Sequence, residues 1–442
     1  METSRPKITG EVKVVLDEFQ TVENISLYIS KIKEFLTAEV TRLLEAILGG
    51  AILLDSSDIH IEPEKEEVKL RLRIDGILND AAGFSLKAYK TLLSRIKLLS
   101  GIKLNVTDRP QDGRFTILLS EKNQEGSEEE TVIEIRASTL PSEGGETIVL
   151  RVLNPKNLIE IEALGLRKDL VEIFKKEIKK PNGMIIITGP TGSGKTTTLY
   201  AILKRINSPE VKIITIEDPV EYHLEGLSQT QVNSKKGYTF ASGLKAIVRQ
   251  DPDVVLVGEI RDLETAEIAC QAALTGHLVF STLHTNDAAG AIARLVDLGV
   301  KTVSIAPAIN MVVAQRLPRR VCQKCVKFTL PSEIEAKKIK DGLKNVKKEI
   351  LPKAFFQSSF KIPKPQGCKE CNGTGYRKRI GIYETFLIDD EMERFIFKNP
   401  SIVDMRELAI KKGMVLMHED GLIKVLEGIT TIEEIERVAG EE

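Results

Sequence analysis

The segment Gly189-Pro190-Thr191-Gly192-Ser193-Gly194-Lys195-Thr196 fits the pattern G-x-x-x-x-G-K-[ST] at every fixed position. Its glycines let successive backbone amides turn inward and cradle phosphate oxygens, and a helix N-terminus just beyond adds a dipole that favours anions. Lys195 would neutralise charge on the β- and γ-phosphates, and the Thr196 hydroxyl would ligate Mg²⁺. The apolar run Met184–Thr188 reads as a strand entering the loop, and Thr197 to Asn207 reads as the helix leaving it. A strand before and a helix after are the setting this pattern needs. The expected ligands are ATP and Mg²⁺.

Such a loop works with an acid that holds the metal and a group that orients the attacking water. Two carboxylate groups follow short apolar runs downstream: Glu217-Asp218-Pro219-Val220-Glu221 after Ile213–Ile216, and Glu259 after Val254–Val257. Gly258 stands where the usual Walker B pattern places Asp. Both groups fall at carboxyl ends of strands, where open α/β sheets collect ligands. The leading assignment puts Glu259 on the magnesium shell and Glu221 at the water, and the two roles could be exchanged. The run Leu278–Ser281 is flanked by His277 and His284. An imidazole beside the γ-phosphate could report on hydrolysis, and a satisfied structural histidine is the alternative for each.

Cys322/Cys325 and Cys368/Cys371 form two C-x-x-C pairs, and Cys270 stands alone in a helical pattern as a small core residue. In a chain with no recognisable export signal such pairs read as a metal site before they read as disulfides. Two knuckles give four thiolates, a closed tetrahedral shell that selects Zn²⁺ and leaves no open position, so the expected zinc is structural.

The elements that must position these residues follow from periodicity. Uninterrupted apolar runs at Met184–Thr188, Ile213–Ile216, Val254–Val257 and Leu278–Ser281 suit parallel strands buried on both faces, with helices between. Upstream the pattern alternates instead, as in Val68-Lys69-Leu70-Arg71-Leu72-Arg73-Ile74, with further strands expected at Arg114–Leu119, Thr131–Ala137 and Glu146–Val152. Helical spacing runs from Ile32 to Leu48, closed by Gly49-Gly50, and again from about Ala88 to Ser100; Ser120 to Glu130 reads as a hairpin loop. The chain of 442 residues is long enough for two to four domains. The expected organisation is a short extension over 1–35, an α+β domain over 36–154, a linker over 155–166, and an α/β ATPase domain over 167–442 that includes a metal-binding insertion at 320–375.

Composition narrows the partners. Lys+Arg is 63 against Asp+Glu 64, aromatic residues make up 5%, and there is no Trp. A nucleic-acid translocase would want a basic, aromatic-lined channel, so no direct nucleic-acid contact is expected. A zinc-stabilised scaffold with a degenerate nucleotide site is the other alternative, and intact Gly194, Lys195, Thr196 and Glu259 argue against it. No apolar run approaches the ~18 residues of a membrane span, and Met1-Glu2-Thr3-Ser4-Arg5 is no secretory signal. A cytoplasmic protein is expected, meeting a membrane only through partners.

Four segments stand in a telling order: the loop Gly189–Thr196, the acidic box Ile216–Tyr222, Asp251–Arg261 (DPDVVLVGEIR), and the histidine box Thr275–Asn286. Together they resemble the motor ATPases of bacterial type II secretion and type IV pilus assembly. The likeness extends through Ser57–Pro63, Arg71–Gly76, Arg109–Arg114, Gly381-Ile382-Tyr383-Glu384 and Asp420-Gly421-Leu422-Ile423-Lys424, about residues 40 to 435. The resemblance implies a RecA-like P-loop core joined by a mobile linker to a smaller N-terminal domain, six subunits in a homohexameric ring, and an inner-membrane platform protein as partner. It also implies that arginines of the N-terminal domain reach the phosphates on closure, at Arg136 and Arg151 here. Without the family, either arginine reads as a solvated strand residue. A guanidinium supplied to the γ-phosphate can be worth ~10³–10⁵ in rate. The tetracysteine insertion is a feature of the assembly and secretion motors rather than of the retraction motors. Family members often carry a docking domain ahead of the matched region; the residues before the match here are expected to be too few for one.

Overall fold

The structure, a computed structural model, describes residues 10–15, 24–35, 39–122 and 128–440. They fall into two compact units. One comprises Met1–Asn157 with Cys322–Cys325 and Pro365–Arg377, the other Leu158–Val321 with Val326–Lys364 and Lys378–Glu442.

The first unit runs β1 (Glu11–Val15), α1 (Ile25–Phe35), α2 (Val40–Leu53), β2 (Ser56–Pro63), β3 (Val68–Ile74), β4 (Ile77–Phe84), α3 (Leu86–Leu99), β5 (Gln111–Lys122), β6 (Glu128–Ser142) and β7 (Gly145–Leu153). Its seven strands form one sheet in the order β1-β5-β6-β7-β2-β3-β4. The period-2 pattern sends Ile59, Ile61, Leu70, Leu72, Ile133, Ile135, Ile148 and Leu150 into a core shared with Leu44, Ile47, Leu92 and Ile96 of the helices. Direct cross-strand pairing then sets Arg114 opposite Arg136, Arg136 opposite Arg151, Arg151 opposite Asp58, and Asp58 opposite Arg73. One row across the sheet thus carries four guanidiniums and a carboxylate.

Three expectations need correction here. The segment 1–35 is not a mere extension: β1 pairs in parallel with β5, burying Val12 and Val14, and α1 buries Tyr28 and Ile32. Residues 1–9 and 16–23 of that segment lie outside the described residues. The helical run from Ile32 to Leu48 is shared between α1 and α2, because both helices bury their apolar faces in one core. Gly49-Gly50 does not close α2, which continues to Leu53. Gly50 instead lets the Tyr28 ring approach the helix closely: a Cβ there would sit 2.2 Å from it, and the phenol donates to the Ile47 carbonyl at 3.1 Å. The Ser120–Glu130 hairpin is paired further toward its tip than a loop reading allows, with Ser120 opposite Glu130 and Lys122 opposite Glu128, and residues 123–127 lie outside the described residues.

The second unit continues with α4 (Lys168–Glu177), β8 (Gly183–Thr188), α5 (Lys195–Ile206), β9 (Ile213–Glu217), β10 (Ser228–Gln231), α6 (Phe240–Val248), β11 (Val254–Val257), α7 (Leu263–Leu274), β12 (Leu278–Leu283), α8 (Ala289–Asp297), α9 (Thr302–Ala308) and β13 (Ile309–Arg316). Four short strands follow, β14 (Arg319–Val321), β15 (Lys327–Thr329), β16 (Ile362–Lys364) and β17 (Tyr376–Arg379), with α10 (Glu333–Leu343) between β15 and β16. The chain ends through β18 (Ile382–Leu387), α11 (Asp390–Ile396), α12 (Ile402–Lys411), α13 (Met417–Leu426) and α14 (Ile432–Ala439).

The main sheet has the order β10-β9-β11-β12-β8-β13-β18 and is parallel except for β18 against β13. Helices cover both faces. Met184 and Ile186 of β8 enter one core while Ile185 and Ile187 enter the other, which is why these strands are apolar at every position. The unit is the expected α/β P-loop core. Parallel pairing brings the carboxyl ends of β8, β9, β11 and β12 to one edge.

Candidate nucleotide site and metal centre

At that edge Thr188 ends β8 and the chain turns through Gly189 (φ 149°), Gly192 (φ 80°) and Gly194 (φ 89°) into α5. Only glycine fits at Gly194, where a Cβ would also lie 2.8 Å from the Gln315 amide. No side chain caps α5, so its first amides face the loop. The Ser193 hydroxyl is buried without a hydrogen-bond partner, and Pro190, Thr191 and Thr196 are exposed, with Thr197 half-buried. A buried orphan hydroxyl beside open helix amides fits a triphosphate. Lys195 Nζ donates to the carbonyls of Gly189 at 2.7 Å and Pro190 at 3.2 Å. Burial, aided by Arg316, pushes this ammonium down to about 8, against the pull of Glu259.

Glu259 lies two residues beyond β11. Arg261 reaches one of its carboxylate oxygens at 2.5 Å, and His284 Nε2 is 3.5 Å from the other. Burial and Lys195 hold the His284 imidazole below its ordinary value, against Glu259. The following Thr285 is tied to the end of β8 by its amide and hydroxyl, 2.9 and 2.7 Å from Thr188 Oγ1. Lys195, Glu259 and His284 are thereby brought together. Glu221 sits on the loop after β9, which is organised by a buried pair: Tyr200 donates to Glu217 at 2.5 Å, and the Glu221 amide donates back to the Tyr200 phenol at 3.3 Å.

His277 is placed elsewhere. It precedes β12, whose first residue Leu278 pairs with Gly183 at the start of β8, so it occupies the edge of the sheet opposite the phosphate loop. Its Nδ1 lies 3.0 Å from the Ala272 carbonyl at the end of α7. His277 thus sits at the end of α7 and is not brought to the phosphate loop. Arg136 and Arg151 belong to the first unit, where Arg151 Nε donates to Asp58 at 3.0 Å and Arg136 Nε lies 3.5 Å from Glu134.

Sequence reasoning missed Gln315 and Arg316. β13 pairs beside β8 with Ala314 opposite Thr188, which carries the next two residues to the phosphate loop. Arg316 donates to the Asn286 carbonyl at 2.7 Å, and Gln315 accepts from Thr198 of α5 at 2.7 Å. The apolar run Met311–Ala314 was the available signal, since it matches the other buried strands.

The four cysteine sulfurs of Cys322, Cys325, Cys368 and Cys371 lie within 4.8 Å of one another, with separations of 3.9, 3.8 and 3.7 Å along three edges. Sulfurs bound tetrahedrally to zinc at ~2.3 Å stand ~3.8 Å apart, so the cluster fits the metal. Burial alone would raise the Cys371 thiol, but amides of Cys368 and Gly375 donate to its sulfur and bring it to about 7. Contrary to the expectation of one insertion inside the ATPase domain, both knuckles group with the first unit, while Val326–Lys364 groups with the second. One reason is visible at α1, whose first amide, Ile25 N, is capped by the side-chain carbonyl of Asn372 at 2.6 Å.

Residues 35–437 match the family described as Type II/IV secretion system protein. The chain belongs to that family. It is 45% identical over 395 residues to the type IV pilus assembly ATPase PilB of Thermus thermophilus, covering 89% of this chain and 42% of that one. It is 44% identical over 406 residues to the type II secretion system protein E of Pseudomonas aeruginosa, covering 92% and 76%. Among solved structures, the pilus retraction motor PilT with bound ADP aligns at 26% identity with a TM-score of 0.56, over 88% of this chain and 95% of that one. The Legionella pneumophila ATPase DotB shares the fold at 21% identity and a TM-score of 0.62, over 89% and 94%. The chain therefore spans less than half of one curated relative and about three quarters of the other. No helix among its described residues is long and apolar enough to cross a membrane.

Proposed function

We propose that this chain hydrolyses magnesium-ATP as one subunit of a homohexamer and uses the energy to drive type II secretion or type IV pilus assembly. It would work in the cytoplasm at the inner face of the cell membrane, against an inner-membrane platform protein. The observation that carries the reading is the meeting of Lys195, Glu259 and His284 with the open amides of α5 at one sheet edge.

The loop amides and the Lys195 ammonium hold the β- and γ-phosphates and neutralise charge as water displaces the leaving oxygen in line. Thr196 and Glu259 are the oxygen donors for Mg²⁺, which when bound supplies further charge at those phosphates. His284 holds one Glu259 oxygen and Arg261 the other, fixing the carboxylate's direction. Glu221, on the Tyr200-anchored loop, orients the water. Arg136 and Arg151 complete the charge stabilisation when the units close. Since little covalent chemistry falls to the protein, positioning and preorganised charge account for the rate. Cys322, Cys325, Cys368 and Cys371 hold Zn²⁺, a crosslink between the knuckles.

Deleting the gene in its source organism separates the two roles. Loss of surface pili assigns pilus assembly, loss of secreted enzymes assigns secretion, and a strain that keeps both contradicts the proposal.

A further inference from the structure

Glu217 ends β9 and opens the acidic box, and its carboxylate is 4% exposed. The protein itself takes up both oxygens. One accepts from the Thr215 hydroxyl at 2.6 Å and from the Gln229 side chain at 3.3 Å, and the other accepts from the Tyr200 phenol at 2.5 Å. A buried carboxylate has to be satisfied by hydrogen bonds, so these three donors are held in one arrangement. The first carboxylate of the box thus serves the loop that follows it.

Tyr200 is the donor that belongs to the phosphate-loop helix. It lies in α5, which Lys195 opens, and its ring is 1% exposed. With its one proton given to Glu217, the phenol oxygen turns its lone pairs to the loop after β9. It accepts from the backbone amides of Glu221 at 3.3 Å and Tyr222 at 3.4 Å. The Tyr222 ring meets the Tyr200 ring edge-on, with centroids 6.0 Å apart. Gln229 of β10 grips the same loop, donating to the Tyr222 carbonyl at 3.0 Å and accepting from the Leu224 amide at 2.8 Å. The backbone at Glu221 is therefore fastened to α5 through one phenol, whose proton Glu217 directs.

We infer that Tyr200 is a positioning residue for Glu221, setting that carboxylate's backbone at a fixed place relative to the helix whose first amides hold the phosphates. Glu221 and α5 belong to separate elements, and the phenol makes them move as one. A small displacement of a water-orienting group costs rate far more than it costs binding. The inference rests on the ATPase reading with Glu221 at the water, and adds the residue through which phosphate held at α5 and that carboxylate keep their register.

Tyr200→Phe keeps the ring against Tyr222 and removes only the hydroxyl. The full chain and its variants are compared by affinity for a non-hydrolysable ATP analogue with magnesium, by kcat, and by hydrogen exchange of the Glu221 and Tyr222 amides. The expected result is affinity within about twofold, kcat lowered about tenfold, and faster exchange at both amides. Added to Glu221→Gln, the same change should lower kcat no further, because Tyr200 acts through Glu221. Wild-type kcat or unchanged exchange in Tyr200→Phe would overturn the inference. So would affinity and kcat falling together, or a further tenfold loss on top of Glu221→Gln. If Tyr200→Phe does not fold, Glu217→Gln keeps the phenol but turns an amide group toward one of its donors, and carries the same expectation. A wild-type chain that binds no analogue would instead defeat the ATPase reading itself.

Discussion

His284 Nε2 lies 3.5 Å from a carboxylate oxygen of Glu259, each side chain arriving just beyond the carboxyl end of one of two paired strands. Burial and Lys195 keep the imidazole below 6.5, so near neutrality it is uncharged and lies beside Glu259 without competing for its negative charge. Lowering the pH through 6.5 and below its folded value adds a proton and turns the contact into an ion pair that draws Glu259 away from its ligand. The unfolded chain binds more protons in that window, so stability also falls as pH falls. Turnover measured between about pH 5 and 7 should decline on the acid side with an inflection below 6.5, and His284→Gln should remove the inflection. An unchanged profile in the variant would assign it to another group.

Lys195 gives the opposite limb. Its ammonium is held down to about 8 by burial in the free protein. Above about pH 8 it loses its proton, and a phosphate that binds must bring the proton back, so nucleotide affinity should weaken steadily as pH rises. Titration of analogue binding from about pH 7 to 9.5 checks this against Lys195→Met, whose weaker affinity should show no such slope.

Arg136 and Arg151 are opposite one another on β6 and β7, in a row that also holds Arg114, Asp58 and Arg73. On the proposed role, replacing either Arg136 or Arg151 by Ala should lower kcat by about a thousandfold while leaving nucleotide affinity within a few-fold, since a guanidinium that reached the γ-phosphate would act on transition-state charge. Equal losses in binding and turnover would remove the assigned role.

Metal analysis should find one zinc per chain. Because Asn372 caps α1, chelation should open residues 320–375 to protease and loosen α1 with them, while analogue binding at the phosphate loop survives. Loss of nucleotide binding on chelation would show that the knuckles support the site directly.

The phosphate loop was legible because its motif is local: strand, glycine turn and helix adjoin in sequence, and Glu259 and His284 follow strands of the same apolar type. The two histidines show what pattern alone leaves out. They flank one strand, and only its carboxyl end can share an edge with the loop, so parallel pairing admits His284 and excludes His277. Gln315 and Arg316 escaped notice because their place depends on β13 adding beside β8, a pairing of residues far apart in sequence. The Asp420 motif was visible, but its pairing with Arg167, 253 positions away, was not. Val12 and Val14 show alternation too short to stand out until β5 supplies a neighbour.

The central claim is that the amides and ammonium between Gly189 and Thr196 hold a triphosphate. Calorimetric titration of the folded chain with magnesium-ATP tests it most directly. Saturable uptake at one site per chain, weakened in Lys195→Ala with phosphate release abolished, is the predicted result. A folded wild-type chain that takes up no magnesium-ATP, or an Ala variant that binds and hydrolyses it undiminished, would contradict it.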